Sequence, residues 1–374
     1  MARLDFALWD SMGYHEMQRG PTAQLYDEHI ARAQLVEDLG FHSYFTIEHQ
    51  NSDVGQITSP SVFLTAIARH TSVLRVGAMI WQLPFHNPMR LAQEIAMLDQ
   101  LSHGRVDFGS GLGIHEHEFL RWGLNHAERA AISSEALEII KLAWTQDEVT
   151  YKGKYWTFDE ALPAPKPYQE PHPPIWVAAH SKASLEFAAR NNYHISQNRD
   201  RDSVAAEKIA YFKKTWKECG HSGSMPRIFL QRAVHVAETD AKAREEAEPF
   251  IVREQAAVAG GVGGGGRSAV VGRIARTRIG WGQHTRGYGA DSLRPDVVER
   301  GENFAQAAQD YDFATGEGLF VVGGPETVAR KLEDDIRNIG YDLFCGDHQI
   351  GGMAPALVEK SIRLLGKEVL PAFR

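Results

Sequence analysis

Short apolar runs alternate with amphipathic stretches along most of the chain, and Leu74 to Gly113 shows the repeating unit most completely. Leu74 to Ile80 is apolar, with β-branched Val76 and Ile80, the composition of a strand buried on both faces. Asn87-Pro88 reads as an N-cap followed by proline in the first helical turn. Leu91, Ile95, Leu98 and Leu101 follow at spacings of four and three, so one helical face is apolar. Ser102-His103-Gly104 stops that helix, Arg105 to Phe108 opens the next strand, and Gly109-Ser110-Gly111-Leu112-Gly113 ends it. Backbone in such a glycine-rich end can approach a ligand without side chains in the way.

The same alternation predicts eight strands, starting near residues 4, 43, 74, 105, 175, 194, 227 and 341, each followed by a helix. One of those helices carries an apolar stripe of Tyr26, Ile30, Ala33, Val36 and Leu39, closed by Gly40. Residues 146 to 174 lose the periodicity; a small hairpin at Tyr151 to Tyr155 and stiff proline turns are expected there. From Ala259 to about Arg300 the pattern breaks again, around Gly260 to Gly266, and reads as a mobile excursion. Eight strand–helix units imply a closed (β/α)8 TIM barrel of the α/β class, one domain over residues 1–374, with an open doubly wound sheet as the lesser alternative.

A formal net charge of −8 leaves no electrostatic footprint for nucleic acid. No apolar run approaches a membrane span, the first ten residues lack a signal-peptide core, and two cysteines are too few for a disulfide framework, so a cytoplasmic protein is expected.

In a barrel, the residues just after each strand form the site. Here they are Trp9, His49, Met79 and Trp81, Ser110 to Gly113, His180 and Ser181, Asn198, and Asp347 and His348. Aromatics, imidazoles and bare backbone suit a planar, partly apolar ligand. His49 can move protons near neutral pH, unless it is a buried histidine satisfied by Glu48 or by backbone. His180-Ser181-Lys182-Ala183-Ser184 lies where a strand turns into a helix, a ready phosphate site that also reads as plain N-capping. Three other patterns point elsewhere. Gly109 to Gly113 falls short of a dinucleotide fingerprint, because Ile114 stands where its third spaced glycine belongs. Gly261 to Ser268 has P-loop spacing but no strand leading into it. His115-Glu116-His117-Glu118 has the HxH flavour of a metal-dependent hydrolase, but it follows the fourth strand and reads more simply as a solvated turn or helix start, with no metal expected.

The run VGAMIWQLPFHNPMRLAQEIAMLDQLSHGRVDFGSGLG, with LGFHSYFTIEHQ, PPIWVAAHSKASLEFAA and GGPETVARKLEDDIRNIGYDLFCG, resembles the bacterial luciferase-like flavin monooxygenases over most of the chain. The resemblance implies a TIM barrel whose late excursion covers the active site. It implies reduced FMN supplied by a separate NAD(P)H-dependent flavin reductase, and O2, with a C4a-hydroperoxyflavin oxygenating a small apolar or aromatic substrate. His49 falls on the luciferase catalytic acid/base, and Ala78–Met79 on a non-prolyl cis peptide beneath the flavin ring, beside Ser110 and Gly111. Ser181 and Ser184, with His180 and Lys182 beside them, match the FMN phosphate clamp, and Glu118 an acidic residue near the flavin. Leu112 stands in place of a phosphate-holding arginine, and Gln50 in place of a second histidine, which argues against light emission from aldehydes. Relatives of this kind are commonly homodimers, and some use a deazaflavin for hydride transfer instead.

Overall fold

The computed structural model describes residues 3–50, 55–113, 115–254, 303 and 305–374. Its main sheet contains β1 (Asp5–Asp10), β2 (Ser43–Thr46), β3 (Arg75–Gln82), β4 (Val106–Gly111), β7 (Ile175–Ala178), β8 (His194–Asn198), β9 (Ile228–Val236), β10 (Phe320–Gly323) and β11 (Leu343–Asp347). The order is β10-β9-β11-β1-β2-β3-β4-β7-β8, and a further β9–β8 pairing closes eight strands into the expected (β/α)8 ring. All eight expected strands are present, each starting within about two residues of its expected position. β10 is a ninth strand, paired parallel with the end of β9. Its four residues are too few to show a period before Gly323-Gly324 and the helix Pro325–Asn338. The expected hairpin exists as antiparallel β5 (Val149–Lys152) and β6 (Thr157–Ala161). The excursion at 259–300, with its P-loop-like run, lies outside the described residues. Among the described residues no helix is long and apolar enough to cross a membrane.

Two compact units make up the chain. One comprises Asp5–Ser196 and Phe212–Phe229; the other comprises Met1–Leu4, Gln197–Tyr211 and Leu230–Arg374. In the first, Trp9, Phe45, Trp176 and Phe229 form an aromatic core, with ring centroids 5.4 to 6.4 Å apart. The Leu74–Gly113 unit folds as its punctuation dictates. Asn87 caps α4 (Pro88–Ser102) by accepting the Arg90 amide at 3.1 Å, and His103 and Gly104 end it at φ of 55° and 79°. In the second unit, the wholly buried Arg232 guanidinium donates to Asp202 at 3.1 Å, and Lys331 donates to Asp335 at 2.9 Å. Burial, with the Asp202 charge adding to it, pushes the Asp335 carboxyl up to about 6.

A buried ionic cluster fastens the end of β1 to the helix that follows, within the first unit. The face that α2 (Thr22–Asp38) buries is Leu25, His29, Ala33 and Val36, so the expected stripe is rotated toward a histidine. His29 Nδ1 lies 2.7 Å from Asp10 Oδ2, and its Nε2 lies 3.3 Å from Glu16 Oε1. Arg32 reaches Asp10 at 3.1 Å and Glu16 at 3.4 Å, and the Tyr44 hydroxyl donates to Asp10 at 2.8 Å. Arg19 also reaches Glu16 at 2.7 Å, so two guanidinium groups stand against the two carboxylates, and His29 contacts both acids. Burial pulls His29 down, and Asp10 and Glu16 raise it by more.

Candidate active site

After Arg75, β3 is apolar until Gln82, and its backbone changes course just before its end. The non-prolyl cis peptide is Met79–Ile80, not the expected Ala78–Met79, and the register with β4 shifts between Ala78 and Trp81. The resemblance placed the bond one residue early because it aligned residue types; the shift lies in the pairing, which the sequence does not display. Beyond the shift Trp81 pairs with Ser110, and Ser110 pairs with Val177 of β7. The ends of β3, β4 and β7 therefore lie side by side, the outer two about 10 Å apart. Ala78, Met79 and Ser110 are buried. A Cβ on Gly111 would strike Ile80 Cδ1 at 1.8 Å, so this glycine is needed for Ile80 to pack across the strand end.

β2 delivers His49 to the same region. Glu48, buried beside it, pins the segment. Its carboxylate accepts the Gln82 amide at 2.7 Å, the Gln50 side chain at 2.6 Å and His86 Nε2 at 2.8 Å. Burial lowers the His86 pKa, but the Glu48 carboxylate raises it by more, so His86 is held above the ordinary imidazole value. Glu48 therefore serves His86, and His49 turns elsewhere. His49 Nδ1 lies 2.9 Å from Oε1 of the fully buried Glu118, whose Oε2 accepts Gln82 Nε2 at 3.2 Å. A carboxylate only accepts, so Nδ1 carries the hydrogen and Nε2 is the ring's remaining acceptor.

Glu118 and His115 sit at the head of α5 (Glu116–Arg121). Both are buried, which corrects the reading of this run as solvated. Gly113, at a φ of 72°, makes the turn into this segment; a Cβ there would meet Gln82 Oε1 at 2.5 Å and the Phe119 ring at 3.0 Å. Gln82 is not singled out by the sequence, and His115 only as half of an HxH pair with His117. A glutamine ending an otherwise apolar strand is the signal that could have found the first.

The segment after β7 holds the other expected cluster. Ser181 caps α7 (Lys182–Arg190): its Oγ accepts the Ser184 amide at 3.2 Å, and Ser184 Oγ accepts the Ser181 amide at 2.9 Å. The N-capping expected of Ser181 is thus present, as a reciprocal capping box with Ser184. Ser181 and Ser184 are part-exposed and Lys182 exposed, and the first turn contains no acidic residue. His180 is part-exposed beside it. The structure joins His49 to Glu118, Ala78 and Met79 to the Ser110–Gly111 end, and Ser181 to Ser184. Among the described residues no hydrogen bond links these three groups.

A closed parallel (β/α)8 ring with an imidazole–carboxylate pair at one strand end belongs to the TIM-barrel class. The chain is a member of the luciferase-like monooxygenase family, whose profile matches residues 6–343. It is 31% identical over 233 residues to the oxygenase component of a flavin-dependent trigonelline monooxygenase from Acinetobacter baylyi. That match covers 61% of this chain and 64% of the relative, so this chain spans just under two thirds of that protein. Two solved structures share the fold along the whole chain. The oxygenating constituent of 3,6-diketocamphane monooxygenase from Pseudomonas putida, in complex with FMN, has a TM-score of 0.75 at 20% identity and covers 100% of this chain and 99% of its own. The coenzyme F420-dependent tetrahydromethanopterin reductase of Methanopyrus kandleri has a TM-score of 0.70 at 22% identity and covers 100% of both.

Proposed function

We propose that this protein is the oxygenase component of a two-component flavin monooxygenase, using reduced FMN from a separate reductase and O2 to oxygenate a small apolar or aromatic substrate. The observation that carries this reading is the His49–Glu118 pair, beside the β3–β4 strand ends and in the same unit as the Ser181 helix turn. Reduced flavin, when bound, supplies the electrons that activate oxygen. Ser181, Ser184 and the first-turn amides of α7 would hold its phosphate, and Ala78, Met79, Ser110 and Gly111 would lie along its ring. Glu118 fixes the tautomer and aim of His49, which holds or moves a proton at Nε2 near the reacting oxygen. Phe85, part-exposed with its ring 4.7 Å from that of the buried Phe119, provides apolar surface for the substrate. The Acinetobacter relative, itself an oxygenase component, supports the separate reductase.

Oxygen uptake supplied with a flavin reductase, NADH and FMN tests the reading across a panel of small ketones, terpenes and aromatics. Substrate-dependent uptake with oxygenated product is expected; uptake yielding only hydrogen peroxide for every compound would contradict it. Glu118→Gln, which keeps the shape but weakens the hold on His49, is expected to lower turnover roughly 10- to 100-fold, with reduced-FMN affinity nearly unchanged. Ser181→Ala/Ser184→Ala is expected to cut FMN affinity about tenfold while leaving riboflavin, which lacks the phosphate, bound as before. Equal loss for both ligands would show that the serines merely cap α7. The deazaflavin reading shares this fold and is separated from FMN by the cofactor titration that closes the Discussion.

A further inference from the structure

The buried carboxylate of Glu118 has no permanent cation. Asp10 and Glu16 face Arg32, and Asp107 faces Arg75 at 2.8 Å, but Glu118 bonds only His49 and the neutral Gln82 amide among the described residues. A second imidazole stands beside the pair: the rings of His49 and His115 are 5.1 Å apart. One donor atom from each of His49, His115 and Glu118 can be chosen so that all three lie within 4.8 Å of one another. Tetrahedral zinc holds its ligands about 3.3 Å apart, so small rotations of the two imidazoles suffice to close the set. Two histidines and one carboxylate are a ligand set of catalytic zinc sites, with a fourth position left open. Gln82 Nε2 on the other Glu118 oxygen is the outer contact that orients a ligating carboxylate.

We infer that His49, His115 and Glu118 form a binding site for a divalent transition-metal ion of the zinc class, and that such an ion inhibits the enzyme by taking His49. The inhibition rests on the function proposed above; the metal site does not. Ligation through Nδ1 replaces the hydrogen shared with Glu118, leaving Nε2 protonated and the imidazole unable to accept a proton. The HxH spacing draws attention to His117, whereas the imidazole beside His115 in the fold is His49, from a different strand end.

Cobalt(II) is the probe, added to the metal-free full chain without flavin and followed by visible absorption and calorimetry. One equivalent is expected to bind, with ligand-field bands, and zinc is expected to displace it. His115→Ala should weaken binding at least 100-fold, and His115→Gln, which retains a polar side chain, serves if the alanine variant unfolds. In reductase-coupled oxygen uptake, zinc should inhibit the wild type at concentrations matching its displacement of cobalt, and the turnover left in the His115 variant should resist that concentration. Absence of stoichiometric cobalt binding, or equal binding by the His115 variants, overturns the site. Cobalt and zinc bound at the site with turnover unaffected overturns the inhibition and, with it, the role given to His49.

Discussion

His49→Ala is expected to lower oxygenation turnover by about two to four orders of magnitude while changing reduced-FMN affinity by no more than a few-fold. The side chain hydrogen-bonds Glu118 through Nδ1 at 2.9 Å and otherwise lies against the His115 ring, 5.1 Å away between centroids, so its removal deletes Nε2 without dismantling the strand ends. The structure also says what remains: Glu48 continues to tie its segment to Gln82, Gln50 and His86. Single-turnover kinetics on enzyme preloaded with reduced FMN separate the chemical step from binding. A fall in affinity as large as the fall in turnover would make His49 a flavin-binding residue rather than the proton carrier.

Asp10→Ala is expected to cost about 3–5 kcal/mol of stability, read as a lower denaturant midpoint. It leaves the buried His29, Arg32 and Tyr44 without the carboxylate that all three contact. The pH dependence has two limbs of opposite sign. Burial alone would raise the Asp10 carboxyl, but His29 and Arg32 outweigh it and hold it at about 2, below its ordinary 3.8. Its contribution is therefore present above about pH 4 and lost as pH falls toward 2. The His29 pKa is raised, so its contribution is present below its ordinary 6.5 and lost as pH rises through the higher folded value. Urea melts from pH 2 to 9 should show a plateau with both limbs, and Asp10→Ala should flatten them. Unchanged limbs in the variant would locate the pH dependence elsewhere.

What the sequence displays is mostly local. Asn87-Pro88, the four-and-three spacing of Leu91, Ile95 and Leu98, and His103-Gly104 each act within a turn or two, and the structure bears out each of them, although Leu101, expected on the same apolar face, is exposed. Ser181 as an N-cap is equally local. Pairings between distant residues left no such trace. His49 and Glu118 are separated by 69 residues, so the acid beside His49 in sequence, Glu48, was the natural candidate partner; it binds His86 instead. The expected α2 stripe holds at Ala33 and Val36, but Leu25 and His29 are buried where Tyr26 and Ile30 were expected, because His29 looks solvated to a hydrophobic pattern although it sits in a buried cluster with Asp10 and Glu16. β10 has no readable period in four residues, and the cis bond moved from Ala78–Met79 to Met79–Ile80 because the β3–β4 register shift is a property of the pairing.

The central claim is a site for reduced FMN at the ends of β3, β4 and β7. Anaerobic titration of the full chain with reduced FMN and, separately, with reduced F420, each followed by admission of oxygen with substrate present, tests it most directly. Saturable binding of reduced FMN and oxygenated product from that complex alone is expected. Turnover with reduced F420 alone, or no measurable affinity for reduced FMN in folded protein, would contradict it.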